Sequence, residues 1–163
     1  MTASASSKRA FLSLGSNLDD RVALLAAALD ALAESEELVG VSPVYETAPV
    51  GGPEGQGAFL NLVVELRTTR SPQELLALAH ELEAQAERRR EIYHGPRTLD
   101  VDLLLFEGYE SQDPQLTIPH PRMYERRFVL APLADVAPEL VEASLLEAAV
   151  GEVHKIGMLS ALR

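Results

Sequence analysis

Residues 58–66 read AFLNLVVEL, with an apolar residue at every second position from Leu60 to Leu66. Successive side chains of a strand point to opposite faces of its sheet, so this pattern predicts a strand with two different faces. Phe59 and Asn61 share one of these faces. Asparagine is disfavoured in strands, and its amide both donates and accepts hydrogen bonds. The pair therefore indicates either a surface for a flat heterocyclic ring or an exposed asparagine on a half-solvated face.

The predicted elements around this strand alternate between strand and helix. Ala10–Ser16 and Leu38–Tyr45 are predicted strands, and a repeat of apolar residues three and four positions apart predicts a helix between them that ends near Glu34. Pro43 inside the second strand indicates an edge position or a bulge. A second helix is predicted to begin with a capping box at Ser71. The glycine- and proline-rich residues 48–57 are a predicted loop.

The order strand, helix, two strands, helix, strand is typical of a ferredoxin-like α/β sandwich (α+β), in which helices lie on one face of an antiparallel sheet. A chain of 163 residues is long enough for one well-buried core. We therefore expect a single domain over residues 1–163, with residues 1–9 flexible.

Residues 95–106 read GPRTLDVDLLLF, which places two carboxylates inside a predicted strand. Asp100 and Asp102 are two residues apart, so they share a face, with Cα atoms about 6.5 Å apart. Buried carboxylates require a compensating cation. Mg²⁺ takes oxygen ligands and is commonly held by one or two carboxylates together with phosphates and water. A solvated pair at a strand end, or a salt bridge to Arg97, is the alternative.

The basic residues are unevenly distributed along the chain. Half of the fourteen lie between positions 88 and 127, and all seven are arginines: Arg88, Arg89, Arg90, Arg97, Arg122, Arg126 and Arg127. The planar guanidinium suits phosphate oxygens better than the ammonium of lysine does. Beside a carboxylate pair, this cluster indicates a polyphosphate site, and a solvated helix face is the competing explanation.

Composition excludes several classes of protein. The formal charge of −11 argues against nucleic acid or an anionic membrane as the main partner. The chain has no cysteine and no long apolar run, so we expect a cytoplasmic protein without disulfides. We expect a monomer, because no long apolar seam is present. The P-loop and Rossmann glycine motifs are absent from the sequence, so a nucleotide would be held by other means.

Six motifs follow one another along the chain: GSNL at 15–18, Y-x-T-x-P at 45–49, FLN at 59–61, GPRTLDVD at 95–102, LTIPH at 116–120 and R-x-F at 126–128. In this order and spacing they resemble the 6-hydroxymethyl-7,8-dihydropterin pyrophosphokinase family of folate biosynthesis. The resemblance extends from about residue 10 to residue 140, and GPRTLDVD is its most specific segment.

This resemblance implies an enzyme that transfers the pyrophosphoryl unit of ATP to the hydroxymethyl group of a reduced pterin and releases AMP. It implies two Mg²⁺ ions held by Asp100 and Asp102, with Arg88 and Arg90 gripping phosphates from a loop; all four are expected to be catalytic. The residues expected to contact ATP are Glu83, Arg88, Arg97, Thr117, His120 and Arg126. Those expected to contact the pterin are Thr47, Pro49, Val50, Phe59, Asn61 and Phe128.

Four residues depart from the family's pattern: Glu87, His94, Gln115 and Pro121. They bear on nucleotide affinity and loop dynamics rather than on the metal pair or the pterin pocket. Two other function classes remain as alternatives. A Mg²⁺-dependent phosphodiesterase would use water as its nucleophile and would need no pterin. A non-catalytic ferredoxin-like ligand-binding module would leave the two aspartates unexplained.

Overall fold

The computed structural model of the protein describes residues 6–17, 21–47, 58–89 and 99–163. Within these ranges the strands are β1 (Lys8–Ser16), β2 (Glu37–Val41), β3 (Val44–Thr47), β4 (Phe59–Thr68), β5 (Asp100–Phe106), β6 (Ser111–Asp113), β7 (Leu116–Ile118) and β8 (Val153–Gly157). The α-helices are α1 (Arg21–Ser35), α2 (Pro72–Arg89), α3 (Arg127–Val136), α4 (Ala143–Ala148) and α5 (Leu159–Leu162). Short 3-10 helices span Met123–Glu125 and Pro138–Leu140.

The main sheet has the strand order β5-β1-β4-β3-β8, and β2 also pairs with β4. All of these pairs are antiparallel. The strands β6 and β7 form a separate hairpin. The predicted α+β architecture, an antiparallel sheet with flanking helices, is confirmed.

One face of the sheet packs against α1 and α2. Leu60 and Leu62 of β4 lie on this face and share a buried cluster with Leu25 of α1 and Leu75 of α2. The predicted capping box is present at the start of α2. The Ser71 backbone N–H donates to Glu74 Oε1 at 2.9 Å, and the Glu74 N–H donates to the serine hydroxyl at 3.1 Å. Residue alternation in β4 therefore separates a core face from the face that carries Phe59 and Asn61.

The predicted helices α1 and α2 share one face of the sheet, and the structure adds a helix on the second face. Helix α3 packs on the opposite face, where Leu130 and Leu133 share a second buried cluster with Phe11, Val63 and Leu104. The far half of this face is apolar and needs its own cover, because exposed apolar area is costly. The half nearer the start of β5 carries the polar residues described below.

The prediction of one strand over Leu38–Tyr45 is wrong. The chain leaves β2 at Ser42 and enters β3 at Val44, and Pro43 lies between them. Proline has no N–H to donate to a ladder. Ser42 replaces part of the ladder, because its hydroxyl accepts from the Val63 N–H at 2.9 Å and its own N–H donates to the Val63 carbonyl at 2.9 Å.

Three further predictions concern loops and ends. Residues 1–5 of the segment expected to be flexible lie outside the described residues, whereas Lys8 and Arg9 already belong to β1. The predicted loop over 48–57 also lies outside the described residues. No helix in the described part of the chain has the length and apolar character needed to cross a membrane.

Candidate active site

Four residues from four strands form one row across the polar half of this face of the sheet. Asp100 of β5 lies opposite Gly15 of β1, Gly15 lies opposite Asn61 of β4, and Asn61 lies opposite Tyr45 of β3. Directly opposed residues point to the same face of a sheet. Two strand spacings separate the Cα atoms of Asp100 and Asn61, which is about 10 Å. The aspartate strand and the asparagine strand therefore share one surface.

The Asn61 side chain is fixed within this row. It is 4% exposed, and its Nδ2 donates to the hydroxyl of Thr47, 8% exposed, at 3.2 Å. On the other side, Oδ1 lies so close to Gly15 that a Cβ there would approach it to 2.6 Å. Real Cβ atoms do not come this close, so glycine is required for this placement of the amide. The two predicted pterin residues Thr47 and Asn61 are thus brought together.

Asp102 lies on the same face as Asp100, one row further along β5 and opposite Ser13. Its side chain is 44% exposed, and its Oδ1 lies 4.0 Å from His120 Nε2. The His120 N–H donates to the Leu104 carbonyl at 2.9 Å, which anchors the segment after β7 against β5. The two predicted residues, the aspartate and the histidine, therefore form one cluster.

The protonation state of His120 follows from its contacts. Burial lowers the pKa of the imidazole, and Arg126 and Arg122 lower it further, while Asp102 opposes the shift. Its Nδ1 accepts the Arg122 N–H at 3.3 Å. A neutral imidazole that accepts at Nδ1 carries its proton on Nε2. A neutral His120 therefore presents an N–H toward Asp102.

Glu83 of α2 is hydrogen-bonded to the backbone of β5, the strand that carries Asp100 and Asp102. Its Oε2 accepts a hydrogen bond from the Val101 N–H at 2.9 Å. Val101 is the residue between the two aspartates, and β5 is an edge strand of the main sheet. Glu83 thus pairs a backbone donor on the edge of β5 and fixes the strand that carries both carboxylates.

The remaining predicted residues occupy three places. The Arg126 guanidinium lies 5.6 Å from the centre of the Phe128 ring, so these two residues are in contact at the start of α3. Thr117 lies on β7, and its hydroxyl donates to the Asp113 carbonyl at 2.9 Å. Arg88 belongs to the last turn of α2 rather than to a loop, and it forms an exposed pair with Glu81 at 2.8 Å. The loop placement predicted for Arg88 is therefore wrong.

The structure also shows polar groups to which the motifs assign no role. Ser16 Oγ and Asn17 Oδ1 are buried at the end of β1 and have no hydrogen-bond partner among the described residues. Ser16 lies opposite Leu60 and therefore on the face of the sheet that packs against α1 and α2, not on the face of Asp100 and Asn61. The signal of Ser16 and Asn17 in the sequence is the GSNL motif itself. Pro49, Val50, Arg90 and Arg97 lie outside the described residues.

The donor set on β5 fits Mg²⁺. No group of three or more acidic, histidine or cysteine side chains gathers for a metal in the described ranges. A site made only of protein ligands is therefore not present there. Mg²⁺ is usually held by one or two carboxylates, with waters and substrate phosphates as the other ligands. Asp100 and Asp102, on one face of an edge strand, match this requirement.

Similarity to known proteins agrees with this arrangement. Residues 11–138 match the model of the family described as 7,8-dihydro-6-hydroxymethylpterin-pyrophosphokinase (HPPK). The 2-amino-4-hydroxy-6-hydroxymethyldihydropteridine pyrophosphokinase of Bacillus subtilis is 46% identical over 133 residues, which are 80% of this chain and 79% of the relative. The enzyme of the same name from Aquifex aeolicus is 36% identical over 131 residues, 80% of this chain and 81% of the relative.

The fold has a counterpart among solved structures. Wild-type HPPK-DHPS of Plasmodium falciparum superposes with a TM-score of 0.64 over 82% of this chain, at 16% identity. The chain spans 42% of that longer protein, so the likeness concerns one part of it and shows the fold alone. The match over 128 consecutive positions and the identity to the bacterial relatives carry the assignment. The chain therefore belongs to the HPPK family and is a pyrophosphokinase of folate biosynthesis.

Proposed function

We propose that the enzyme transfers pyrophosphate from ATP to 6-hydroxymethyl-7,8-dihydropterin across the row from Asp100 to Asn61, with release of AMP. The observation that carries this proposal is the row itself. It places Asp100, one of a pair of carboxylates suited to phosphate-bound Mg²⁺, on the same face as the buried amide of Asn61, with the two Cα atoms about 10 Å apart. Both lie on the polar half of the sheet face on which α3 packs.

At the pterin end, Asn61 reads the edge of the ring. Its amide is held between Thr47 and Gly15, so it offers hydrogen bonds in a fixed direction. Phe59 and Phe128 stack on the two faces of the ring, since offset stacking of flat rings is favourable. The contact between Phe128 and Arg126 brings a residue expected to bind the pterin beside one expected to bind ATP. Pro49 and Val50 complete the pocket.

At the phosphate end, Asp100 and Asp102 hold two Mg²⁺ ions. When bound, the ions supply charge neutralisation of the triphosphate and polarisation of the hydroxyl that attacks it. The arginines Arg88, Arg90, Arg97 and Arg126 grip the phosphates. Arg88 is free to do so because its pair with Glu81 is exposed, and exposed pairs exchange partners at little cost.

Several residues position this end of the site. Glu83 holds the backbone between the two aspartates. His120, with its proton on Nε2, donates toward Asp102 or to a phosphate oxygen in its place and so serves as a donor rather than as a base. Thr117 lies beside the nucleotide on β7. We propose that no side chain acts as a general base, and that the attacking hydroxyl loses its proton to solvent.

The reaction products test this proposal. The purified chain is incubated with ATP, Mg²⁺ and the pterin, and AMP and ADP are separated by chromatography. We expect AMP and pterin diphosphate in equal amounts, and no product with EDTA or with Asp100→Ala. Asp30→Ala, which removes an exposed carboxylate on α1 paired with Arg163, is the matched control and should retain full activity. Release of phosphate without pterin would instead indicate the phosphodiesterase, and Mg²⁺-independent binding without turnover would indicate the ligand-binding module.

We also propose that the enzyme acts as a cytoplasmic monomer. The absence of cysteine fits a reducing compartment. Light scattering coupled to size-exclusion chromatography tests the oligomeric state, and a mass of twice 17.7 kDa would contradict a monomer.

A further inference from the structure

The segment after residue 138 lies beyond the part matched by the family model, yet it contacts the start of α3. Arg127 is the anchor. Its guanidinium donates to three backbone carbonyls of this segment: Leu146 at 3.3 Å, Glu147 at 2.8 Å and Gly151 at 2.8 Å. These carbonyls lie in α4 and in the turn that leads to β8. Arg127 therefore ties its own backbone to the C-terminal segment.

Backbone hydrogen bonds reinforce this anchor on both sides of Arg126. The Arg127 N–H donates to the Val150 carbonyl at 3.1 Å, and the Val150 N–H donates to the Glu125 carbonyl at 2.9 Å. The residues before and after Arg126 are thus both fixed to Val150. Phe128 follows directly, and its position relative to the sheet depends on the same contacts.

The C-terminal segment also holds the opposite side of the pterin pocket. Strand β8 pairs with β3, the strand that ends at Thr47. Lys155 of β8 lies 3.3 Å from Asp135 of α3, and Asp135 accepts a hydrogen bond from the Tyr45 hydroxyl. One segment therefore contacts both the element that carries Phe128 and the strand that carries Thr47.

The chemistry of Arg127 suits a fixed geometry. A guanidinium offers five N–H donors in one plane, whereas lysine offers a compact charge on a flexible stem. Each of the three carbonyls is bound by a different guanidinium nitrogen, Nε, Nη1 or Nη2, and the single nitrogen of a lysine cannot reproduce this spread of donors. Loss of Arg127 leaves these acceptors to water and releases the contact between α4 and the start of α3.

We propose that Arg127 is a positioning residue for the reaction: by binding these three carbonyls it holds the C-terminal segment against residues 125–128 and so sets the positions of Arg126 and Phe128. The role in pterin binding rests on the proposed function, whereas the role in fixing residues 125–128 does not. Arg127 itself is directed at backbone carbonyls and not at the substrate.

Two variants of Arg127 and one control distinguish a positioning role from an effect of charge alone and from a general loss of stability. Arg127→Ala removes the donors, and Arg127→Lys keeps the charge but not the planar group. Arg70→Ala is the control. Arg70 follows the end of β4 that is remote from Phe59, and the substitution breaks its ion pair with the buried Glu36. We expect both Arg127 variants to raise the KM for the pterin about fivefold or more with kcat within about threefold, and the control to change neither.

A second measurement holds whether or not the chain turns over the pterin. Backbone hydrogen exchange over residues 123–130, relative to exchange over residues 60–66 of β4, should become at least about tenfold faster in both Arg127 variants but not in Arg70→Ala. Full recovery of KM in Arg127→Lys would show that charge alone matters and would overturn the proposal. Unchanged exchange over residues 123–130 would overturn it as well, while failure of the wild-type protein to form AMP would count only against the proposed function.

Discussion

Gly15 and Asn61 face each other on neighbouring strands so closely that a Cβ at position 15 would lie 2.6 Å from the asparagine Oδ1. The same asparagine donates its Nδ2 to Thr47. The amide is therefore confined between β1 and β3. It keeps its direction because residue 15 is a glycine and has no Cβ.

Replacing Gly15 by alanine should impair pterin binding more than folding. The added methyl meets the far end of a side chain, which can rotate away, so the strand can keep its register. The rotated amide then points away from the ring. We expect the KM for the pterin to rise about tenfold, the value for losing one or two well-placed hydrogen bonds, with a small change in the thermal midpoint. Steady-state kinetics and calorimetric titration with the pterin measure this.

Gly40→Ala is the matched control for that experiment. A Cβ at Gly40 of β2 meets only the Val136 side chain at 3.6 Å, which is ordinary contact. This variant should keep the wild-type KM. If Gly15→Ala binds the pterin as tightly as Gly40→Ala does, the amide does not read the ring.

Much of this site was predictable because strand alternation assigns side chains to faces. The Asp100 and Asp102 pair, Asn61 and Phe59 each follow from a period of two. The role of Gly15 was not predictable. A glycine inside a strand does not show which neighbouring side chain occupies the space that a Cβ would fill. The contacts of Arg127 with backbone carbonyls could not be predicted for a similar reason. Every residue has a backbone carbonyl, so the sequence does not show which carbonyls lie within reach of Arg127.

Asp102→Asn should abolish most of the activity while leaving the fold intact. The substitution keeps the shape of the side chain and removes the negative charge that Mg²⁺ requires. We expect AMP formation to fall about 100-fold or more. The side chain is 44% exposed, so the free energy of unfolding should stay within about 0.5 kcal/mol of the wild type.

Asp30→Asn is the comparison for Asp102→Asn. Asp30 is also an exposed aspartate with one ion-pair partner, but it lies on α1, on the other side of the sheet. Retained activity in Asp102→Asn at saturating Mg²⁺ would contradict the assignment of this carboxylate to the metal.

The ion pair between Glu36 and Arg70 predicts an effect on stability without an effect on the reaction. The Glu36 side chain is 3% exposed, and Arg70 Nε donates to its Oε2 at 2.8 Å. Arg70→Ala leaves a buried carboxylate without its cation. We expect a loss of about 1–3 kcal/mol in the free energy of unfolding, measured with urea. The double variant Glu36→Leu with Arg70→Met should recover most of it, and a single variant as stable as the wild type would contradict the prediction.

The elements that were predicted wrongly have local causes. A run from Leu38 to Tyr45 has the composition of one strand, but Pro43 cannot donate to the ladder and Ser42 substitutes for the lost pairing with its hydroxyl. The cover over the second face comes from α3, which the predicted order of strands and helices did not include. Packing of this kind is set by tertiary contacts, which periodicity does not reveal.

Tyr45 predicts the behaviour of the fold in alkaline solution. Burial and the hydrogen bond to Asp135 raise the pKa of its hydroxyl well above its ordinary value, and Lys155 also faces the ring, at 5.7 Å. A group whose pKa is raised by folding contributes stability that is complete below its unfolded pKa, about 10, and is lost as the pH rises through the folded pKa. The stability of the wild type relative to Tyr45→Phe should therefore be constant from pH 7 to about pH 9. Above about pH 10 it should decline by up to about 1.4 kcal/mol per pH unit.

Urea unfolding of both proteins at several pH values measures this difference, and titrating groups that do not contact Tyr45 cancel between them. The absorbance of tyrosinate gives a second readout, since the Tyr45→Phe variant should lack the part of the absorbance change that appears last as the pH rises. Parallel stability curves up to pH 11 would show that Tyr45 ionises as readily in the folded chain as in the unfolded chain. In that case the hydrogen bond to Asp135 does not hold the phenol neutral, and the link from α3 to the strand of Thr47 is weaker than the structure indicates.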